Sequence, residues 1–524
     1  MPSDVEPPIP AVTEKPAARR PRFRVLWLAP LLAVIAMTAW VFASPVGSSP
    51  DDDFHLVSIW CADGGEDCAP GQQENTRVVP EPLVDSACYM AEPAESAACQ
   101  EPFDSGAMTE TKRGDFAGAY PPVYYGFMSL FAGDDLVASV LLMRFVNVLL
   151  FVGLSTALFA LLPAVRRPTL LWTWLITTVP LGLFLLSSNN PSAWAIMGVG
   201  TSWLALLGWY ETAGVRRVLL GVLFGITTFM AAGARADAAV YVGVGIAAVT
   251  VLTFRPRVSY LLKSLLPLAA IAVCVAFFFA ARQSSAGFNG FSGAVANSPA
   301  RDLTEAPPGI GDVVSQIVTN LTHLPGLWAG VFGYWGLGWL DTFMPAGVLF
   351  AAVGVFVAVI FTGARQLDWR KAIAAAGVLF TLVLVPIYVL AQGGHMVGQQ
   401  VQPRYVLPLI VLLAGIMLLP TSPRPIGFTR VQRIVLGLAL VYAVAIALHT
   451  NIRRYVTGSD VGGANLNADI EWWWSFGPSP MAWFAIGVLA WAGAVWVLLR
   501  ELSVGRQLRD FAAGPQPVLI SPGR

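Results

Sequence analysis

The chain is written as long apolar blocks separated by shorter polar ones, and the blocks set its architecture. Runs of Leu, Val, Ala, Ile and Phe recur at roughly the 18–25-residue length that carries an α-helix across a bilayer. About twelve spans are predicted on this pattern. The first four cover Val25–Ala43, Leu136–Val165, Thr169–Leu186 and Ser192–Tyr210. The next three are Val218–Met230, Val240–Phe254 and Tyr260–Ala281, the fifth being short for a crossing. Phe343–Thr362, Ala372–Ala391, a tenth span from Val406, Ile434–His449 and Met481–Leu499 complete the series. The membrane domain therefore runs over residues 25–500. A Pro-rich basic tail, residues 1–24, is expected to be disordered in the cytoplasm, and 501–524 to form a cytoplasmic tail. Three long loops stand on the opposite side, at 45–135, 282–341 and 451–480. The first is far beyond an ordinary connection, so it should fold or function in its own right.

Composition agrees with the pattern. Hydrophobic residues make up 56% of the 524 and charged residues only 12%, about half the share of a soluble globular protein, which that class excludes. The expected fold class is all-α and polytopic. The formal net charge of +0 conceals an alternation. Basic residues cluster before the first span (Lys15, Arg19, Arg20, Arg22, Arg24) and in every second connection after it, as at Arg166/Arg167, Arg216/Arg217 and Arg365/Arg370/Lys371. The positive-inside bias then puts both termini in the cytoplasm of a bacterial-type plasma membrane, with the long loops outside. The lipid bilayer is the first partner implied, and no nucleic-acid partner is expected. Nothing matches a phosphate-binding P-loop, so ATP chemistry is not indicated.

Four of the five cysteines, Cys61, Cys68, Cys88 and Cys99, fall in the first outer loop. Two disulfides are expected there, with three pairings open. Their spacings suit zinc poorly, and the compartment is oxidising.

The polar residues of interest gather on the outer side. Asp51, Asp52 and Asp53 follow the first span directly, with His55 beyond. Three adjacent carboxylates repel one another, and burial raises the pKa of at least one, which suits a general base or a cation site. The plain alternative is a solvated acidic loop start. Arg144 sits inside the second span, where a cation is costly unless paired or snorkelling. Asn190 and Pro191 read as the cap and first turn of a helix, which is ordinary capping or an anion site. Arg235 and Asp237 join the fifth and sixth spans below the outer surface, as a structural pair or part of a site. His395 precedes Pro403-Arg404-Tyr405 at the tenth span. An arginine in a first helical turn opposes the helix dipole, so anion binding explains it better than helix stability. No cofactor is assigned. A divalent metal is conceivable at Asp51 and Asp53, since clustered carboxylates suit Mg²⁺, Mn²⁺ or Ca²⁺.

Pro50-Asp51-Asp52-Asp53-Phe54-His55 resembles the Pro-Asp-Glu-x-x-His motif of the domain-of-unknown-function 2142 family of membrane proteins, with Asp52 where the family often has glutamate. Tyr120-Pro121-Pro122-Val123-Tyr124-Tyr125, Arg144 and Arg404-Tyr405 before Pro408 are similar to that family's other landmarks. The family in turn is similar to the GT-C superfamily of integral membrane glycosyltransferases. That resemblance implies sugar transfer from a polyprenyl-phosphate donor to an envelope glycan or glycolipid. Asp51 or Asp52 would be the base, with Arg144 and Arg404 on the donor phosphate. Tyr120 and Tyr124 would lie beside the substrate. A transporter or flippase for a lipid-linked envelope precursor, and a non-catalytic envelope assembly protein, are the competing readings.

Overall fold

The computed structural model describes residues 25–64, 68–281, 309–421 and 425–513. The expectations for residues 1–24, for 282–308 of the second long loop and for the end of the C-terminal tail lie outside these. The described chain is mostly helical. After α1 (Leu28–Phe42) a buried turn leads into the short α2 (Asp52–Trp60). The first long loop then carries a three-stranded antiparallel sheet in the order β1 (Ala69–Pro70), β2 (Arg77–Pro80), β3 (Met108–Thr111), with α3 (Pro82–Asp85) between β2 and β3. Disulfides Cys61–Cys68 and Cys88–Cys99 staple this region, each cysteine pairing with its neighbour in sequence. The loop returns through α4 (Val123–Met128), whose cap is Pro122 in a helical conformation rather than the extended entry that the paired prolines suggest.

The bundle continues with α5 (Leu136–Leu161), α6 (Arg167–Thr177), α7 (Leu181–Leu186), α8 (Pro191–Glu211) and α9 (Gly214–Ala234). Next come α10 (Ala236–Thr253), α11 (Val258–Ala280), α12 (Ile310–Gly330), α13 (Ala346–Ala364) and α14 (Trp369–Gly393). The last are α15 (Pro403–Met417), α16 (Arg430–Val456), α17 (Pro480–Glu501) and α18 (Val504–Ala513). Nine of these helices among the described residues are long and apolar enough to cross a membrane. Their outward faces stay apolar, with Leu261, Leu265 and Leu268 of α11 and Phe350 and Phe361 of α13 exposed, as a lipid-facing surface requires. The protein is a multi-pass membrane protein.

The other three predicted spans fall on the core of the bundle. The third is broken into α6 and α7 around Pro180, the fourth is α8, and the tenth is the 15-residue α15. Residues of α8 and α15 are buried almost throughout. Helices covered by other helices have no need of a continuous apolar surface. Gly198 lets α8 lie directly on α9, since a Cβ there would come 2.7 Å from the Thr227 carbonyl. The fifth helix is corrected by the structure: α9 has 21 residues, not a short span, because Gly233-Ala234 continue the helix to Arg235.

The far end of α15 is clamped from three sides. Thr169 Oγ1 donates to the Leu418 carbonyl at 3.0 Å, Lys371 Nζ to Leu419 at 2.9 Å and Arg166 Nη1 to Pro420 at 2.5 Å. Arg166 is itself paired with Glu211 at 2.6 Å. The orphan carbonyls of that terminus are thereby satisfied, and the helix that bears Arg404 at its other end is fixed in place.

Candidate functional site

Residues 43–50, between α1 and α2, are all buried. A buried turn without regular pairing must have its carbonyls satisfied by side chains. Donors arrive from across the chain. Arg144 Nη1 donates to Ser44 O at 2.6 Å and Val41 O at 3.2 Å, and its Nη2 to Pro45 O at 2.6 Å. Asn451 Nδ2 reaches Ala43 O at 3.0 Å, and Trp474 Nε1 reaches Phe42 O at 2.8 Å. Tyr89 Oη and Gln100 Nε2, both from the disulfide-bonded loop, share Val46 O at 2.7 and 2.8 Å. Trp339 Nε1 takes Gly47 O at 2.9 Å and Asn190 Nδ2 takes Pro50 O at 2.9 Å. Gly47 stands at φ 82°, and a Cβ there would come 2.8 Å from the Ser86 backbone. Arg454 completes the assembly by holding the loop from behind. It binds the carbonyls of Tyr89, Glu92 and Glu95 and pairs with Asp341 at 2.9 Å.

The turn delivers the three aspartates to three different environments. Asp51 is in the left-handed region, φ 61° and ψ 27°, which an aspartate adopts only at some cost. It stands at the α2 N-cap, but its side chain makes no capping bond. Instead Oδ2 accepts from Arg404 Nη2 at 2.5 Å, Oδ1 lies 3.6 Å from Arg113 Nη2, and the side chain is 34% exposed. Asp52 is fully buried, with Oδ2 accepting from Ser49 N at 3.1 Å and lying 3.9 Å from Arg144 Nη2. Asp53 receives both Nε and Nη2 of Arg113 at 2.7 Å each.

Around Asp51 the structure gathers residues from four parts of the sequence. Arg404 Nη2 also donates to Tyr405 Oη at 3.0 Å, and its guanidinium lies 5.0 Å from the Tyr405 ring. Arg235 packs 4.5 Å from the same ring and 5.7 Å from Tyr120, while holding Asp237 through two bonds of 2.9 and 2.8 Å. His55 meets Tyr120 edge-on at 5.5 Å and shares a 2.9 Å hydrogen bond between Nδ1 and Tyr125 Oη. Among the described residues, Arg404 Nε and Nη1 and His55 Nε2 have no hydrogen-bond partner although buried.

Several sequence expectations are corrected here. Arg144, expected on a donor phosphate, has both terminal nitrogens engaged by the turn it supports. Asn190 caps α8 by accepting from Ser192 N at 2.9 Å and otherwise holds Ser49 and Pro50, so its amide is taken up within the chain. Asp52 is too buried to meet an acceptor. Tyr124 packs edge-on against Trp194 and Tyr125 instead of lining the Asp51 surface. His395 lies at the α12–α14 junction, where its carbonyl accepts from Gln316 and Asn320. A metal ion is a poor fit between Asp51 and Asp53, since guanidiniums already occupy their oxygens. Among the described residues no group of three His, Cys, Asp or Glu side chains is placed to hold one.

Sequence reasoning did not single out Arg113 or Asn451 as site residues, and took Tyr125 only as part of the Tyr120–Tyr125 motif. Arg113 carried a usable signal, being one of three cations in an acidic loop. The rest become informative only through their partners.

Burial acts to raise the Asp51 pKa, but Arg404, and with it Arg113, outweighs burial and holds the carboxyl below the usual range. Burial pushes Asp52 up to about 7 against the pull of Arg144, and pushes His55 down to about 3. These two have opposite consequences for stability. Folded Asp52 keeps a proton that the unfolded chain loses above pH 3.8, so its contribution is full below that and is lost as pH rises to about 7. Folded His55 lacks a proton that the unfolded chain holds below pH 6.5, so stability rises with pH between about 3 and 6.5. The slopes oppose each other in the overlap. Asp52→Asn is expected to make the stability of the detergent-solubilised protein rise more steeply with pH over that window than wild type, and His55→Asn to make it rise less. Each difference reaches at most about 1.4 kcal/mol per pH unit. Melting curves parallel to wild type in both variants would contradict the assignment.

Fold and site together define a polytopic helical membrane protein with a polar cluster at one end of the bundle, capped by a disulfide-bonded loop. Residues 34–413 match the family of predicted membrane proteins DUF2142, and the chain belongs to that family. No curated protein and no solved structure matches the chain.

Proposed function

We propose that the protein is a GT-C-type glycosyltransferase that moves a sugar from a polyprenyl-phosphate donor to an envelope glycan or glycolipid. The observation that carries this reading is the pairing of an accessible carboxylate, Asp51, with a buried guanidinium, Arg404, that keeps two N–H groups without partners. In the reaction, Asp51 takes the proton of the acceptor hydroxyl as its oxygen attacks the anomeric carbon. The bond from that carbon to the phosphate oxygen breaks, and its electron pair leaves with the polyprenyl phosphate. Arg404 meets the charge that grows on the phosphate, and Arg235 adds to the local positive field. A phosphate leaving group needs no separate acid, which suits a site with a single exposed carboxylate.

The topology that goes with this reading has the cluster on the extracytoplasmic face, both termini in the cytoplasm and about twelve crossings. The nine long apolar helices supply most of them, and α6/α7, α8 and α15 the interior ones. Two disulfides in the capping loop agree with an oxidising compartment.

The test is a transfer assay with purified protein in nanodiscs, offered a panel of polyprenyl-phosphate sugars and envelope acceptors. Wild type should form a new glycosidic bond, and Arg404→Gln should lose about 10²–10³-fold in rate. Passage of an intact lipid-linked precursor across vesicles, with no new bond, would replace the transferase by a flippase.

A further inference from the structure

Asp51 lies between two guanidiniums that reach it from opposite ends of the sequence. Arg404, 3% exposed in the first turn of α15, holds Oδ2, and Arg113, 37% exposed just after β3, stands by Oδ1. A carboxylate set between two such forks occupies the kind of place that a phosphate oxygen pair takes. Two features show that the arrangement is not closed on itself. Arg404 keeps Nε and Nη1 without partners among the described residues. Asp51 adopts a left-handed backbone and leaves its own helix uncapped to reach the arginines, while a third of its side chain stays open to solvent.

We propose that Asp51 is a displaceable counter-ion: the anionic phosphate of a prenyl phosphate ester takes over Arg404 and Arg113, and the carboxylate it releases becomes the free base. The proposal rests on the transferase reading and deepens it, because the donor's phosphodiester and the monoester that leaves from it present the same anionic phosphate oxygens to the two arginines. The charged and titratable groups around Asp51 are Arg404 and Tyr405 of α15, Arg113, Tyr120, Arg235 with Asp237, and Asp52, Asp53 and His55 of α2. Among the described residues, only Arg404 and Arg113 pair with its carboxylate oxygens, and Arg113 can stay tied to Asp53 as it turns toward a new anion. Once both cations face the phosphate, the carboxylate recovers its affinity for a proton. Occupancy and base activation are then one event, and the empty protein holds a weak base beside water.

The experiment is calorimetric binding to purified protein in phosphate-free nanodiscs, with farnesyl monophosphate, inorganic phosphate and uncharged farnesol as probes. Asp51→Asn removes the competing charge and is expected to bind farnesyl monophosphate about 5–50-fold more tightly than wild type. Arg404→Gln should bind at least about tenfold more weakly, and the more exposed Arg113→Gln about 3–10-fold more weakly. A site for free phosphate would show inorganic phosphate binding as well as the farnesyl ester, and a lipid headgroup site would favour the ester. Unchanged or weaker binding by Asp51→Asn overturns the proposal, as does farnesol binding as well as its phosphate. If Arg404→Gln fails to fold, Arg113→Gln carries the cationic arm. Tightening without sugar transfer by wild type removes the transferase reading alone, and transfer without tightening removes the counter-ion alone.

Discussion

Asp51→Asn is expected to lower the rate of sugar transfer by about 10²–10⁴-fold and to leave the melting temperature within a few degrees of wild type. The substitution keeps shape and hydrogen-bonding reach but removes the proton acceptor. Its side chain is 34% exposed and makes no capping bond, and the asparagine amide oxygen can still accept from Arg404, so most of the fold is kept. Asp52→Asn differs in kind. Its carboxyl lies under the turn against Ser49 and Arg144, so it is expected to alter the pH dependence of stability and to act on rate only through the placement of its neighbour. A transfer assay paired with melting curves on the two single variants separates the roles. Full activity in Asp51→Asn would remove the carboxylate from the chemistry.

Arg144→Met is expected to cost about 3–5 kcal/mol, enough to keep most of the protein from accumulating as a monodisperse species in detergent. Methionine fills much of the volume, so the loss is polar. The carbonyls of Val41, Ser44 and Pro45 lose their donor inside the bundle, and Asp52 loses its nearest cation. Arg144→Lys should recover only part of the loss, since one ammonium cannot reproduce a planar fork that binds three carbonyls through two nitrogens. Size-exclusion profiles and melting temperatures check both. A monodisperse, wild-type-stable Arg144→Met would show that the turn holds without it.

Much of the architecture is legible in the apolar blocks, because a lipid-facing helix must be apolar over its whole length. α8 and α15 do not face lipid, so their sequences answer to neighbouring helices, and length and hydropathy describe them less well. The end of α9 is hidden by Gly233-Ala234-Arg235, which reads as a loop, although Gly233 and Ala234 are helical and only Arg235 is extended, between α9 and α10, where it pairs with Asp237 and packs on Tyr405. In the site, the polarity of Asp51, Arg235 and Arg404 and their position on one side of the membrane were readable. Their convergence was not, since 353 residues separate Asp51 from its Arg404 partner. Arg144 shows the complementary limit. Its depth in an apolar segment marks a buried cation, but only the three-dimensional arrangement shows that main-chain carbonyls, and not a ligand, take up its charge.

The donors that fasten the stretch from Phe42 to Pro50 come from Tyr89, Gln100, Arg144, Asn190, Trp339, Asn451 and Trp474. Its geometry is therefore completed only after Trp474 has emerged. The indole of Trp474 emerges long after the aspartates, 432 residues behind the Phe42 carbonyl that it holds. A growing polypeptide would carry an incompletely fastened acidic segment until then, and any product truncated before Trp474 would reach the membrane with the Phe42 carbonyl short of its donor.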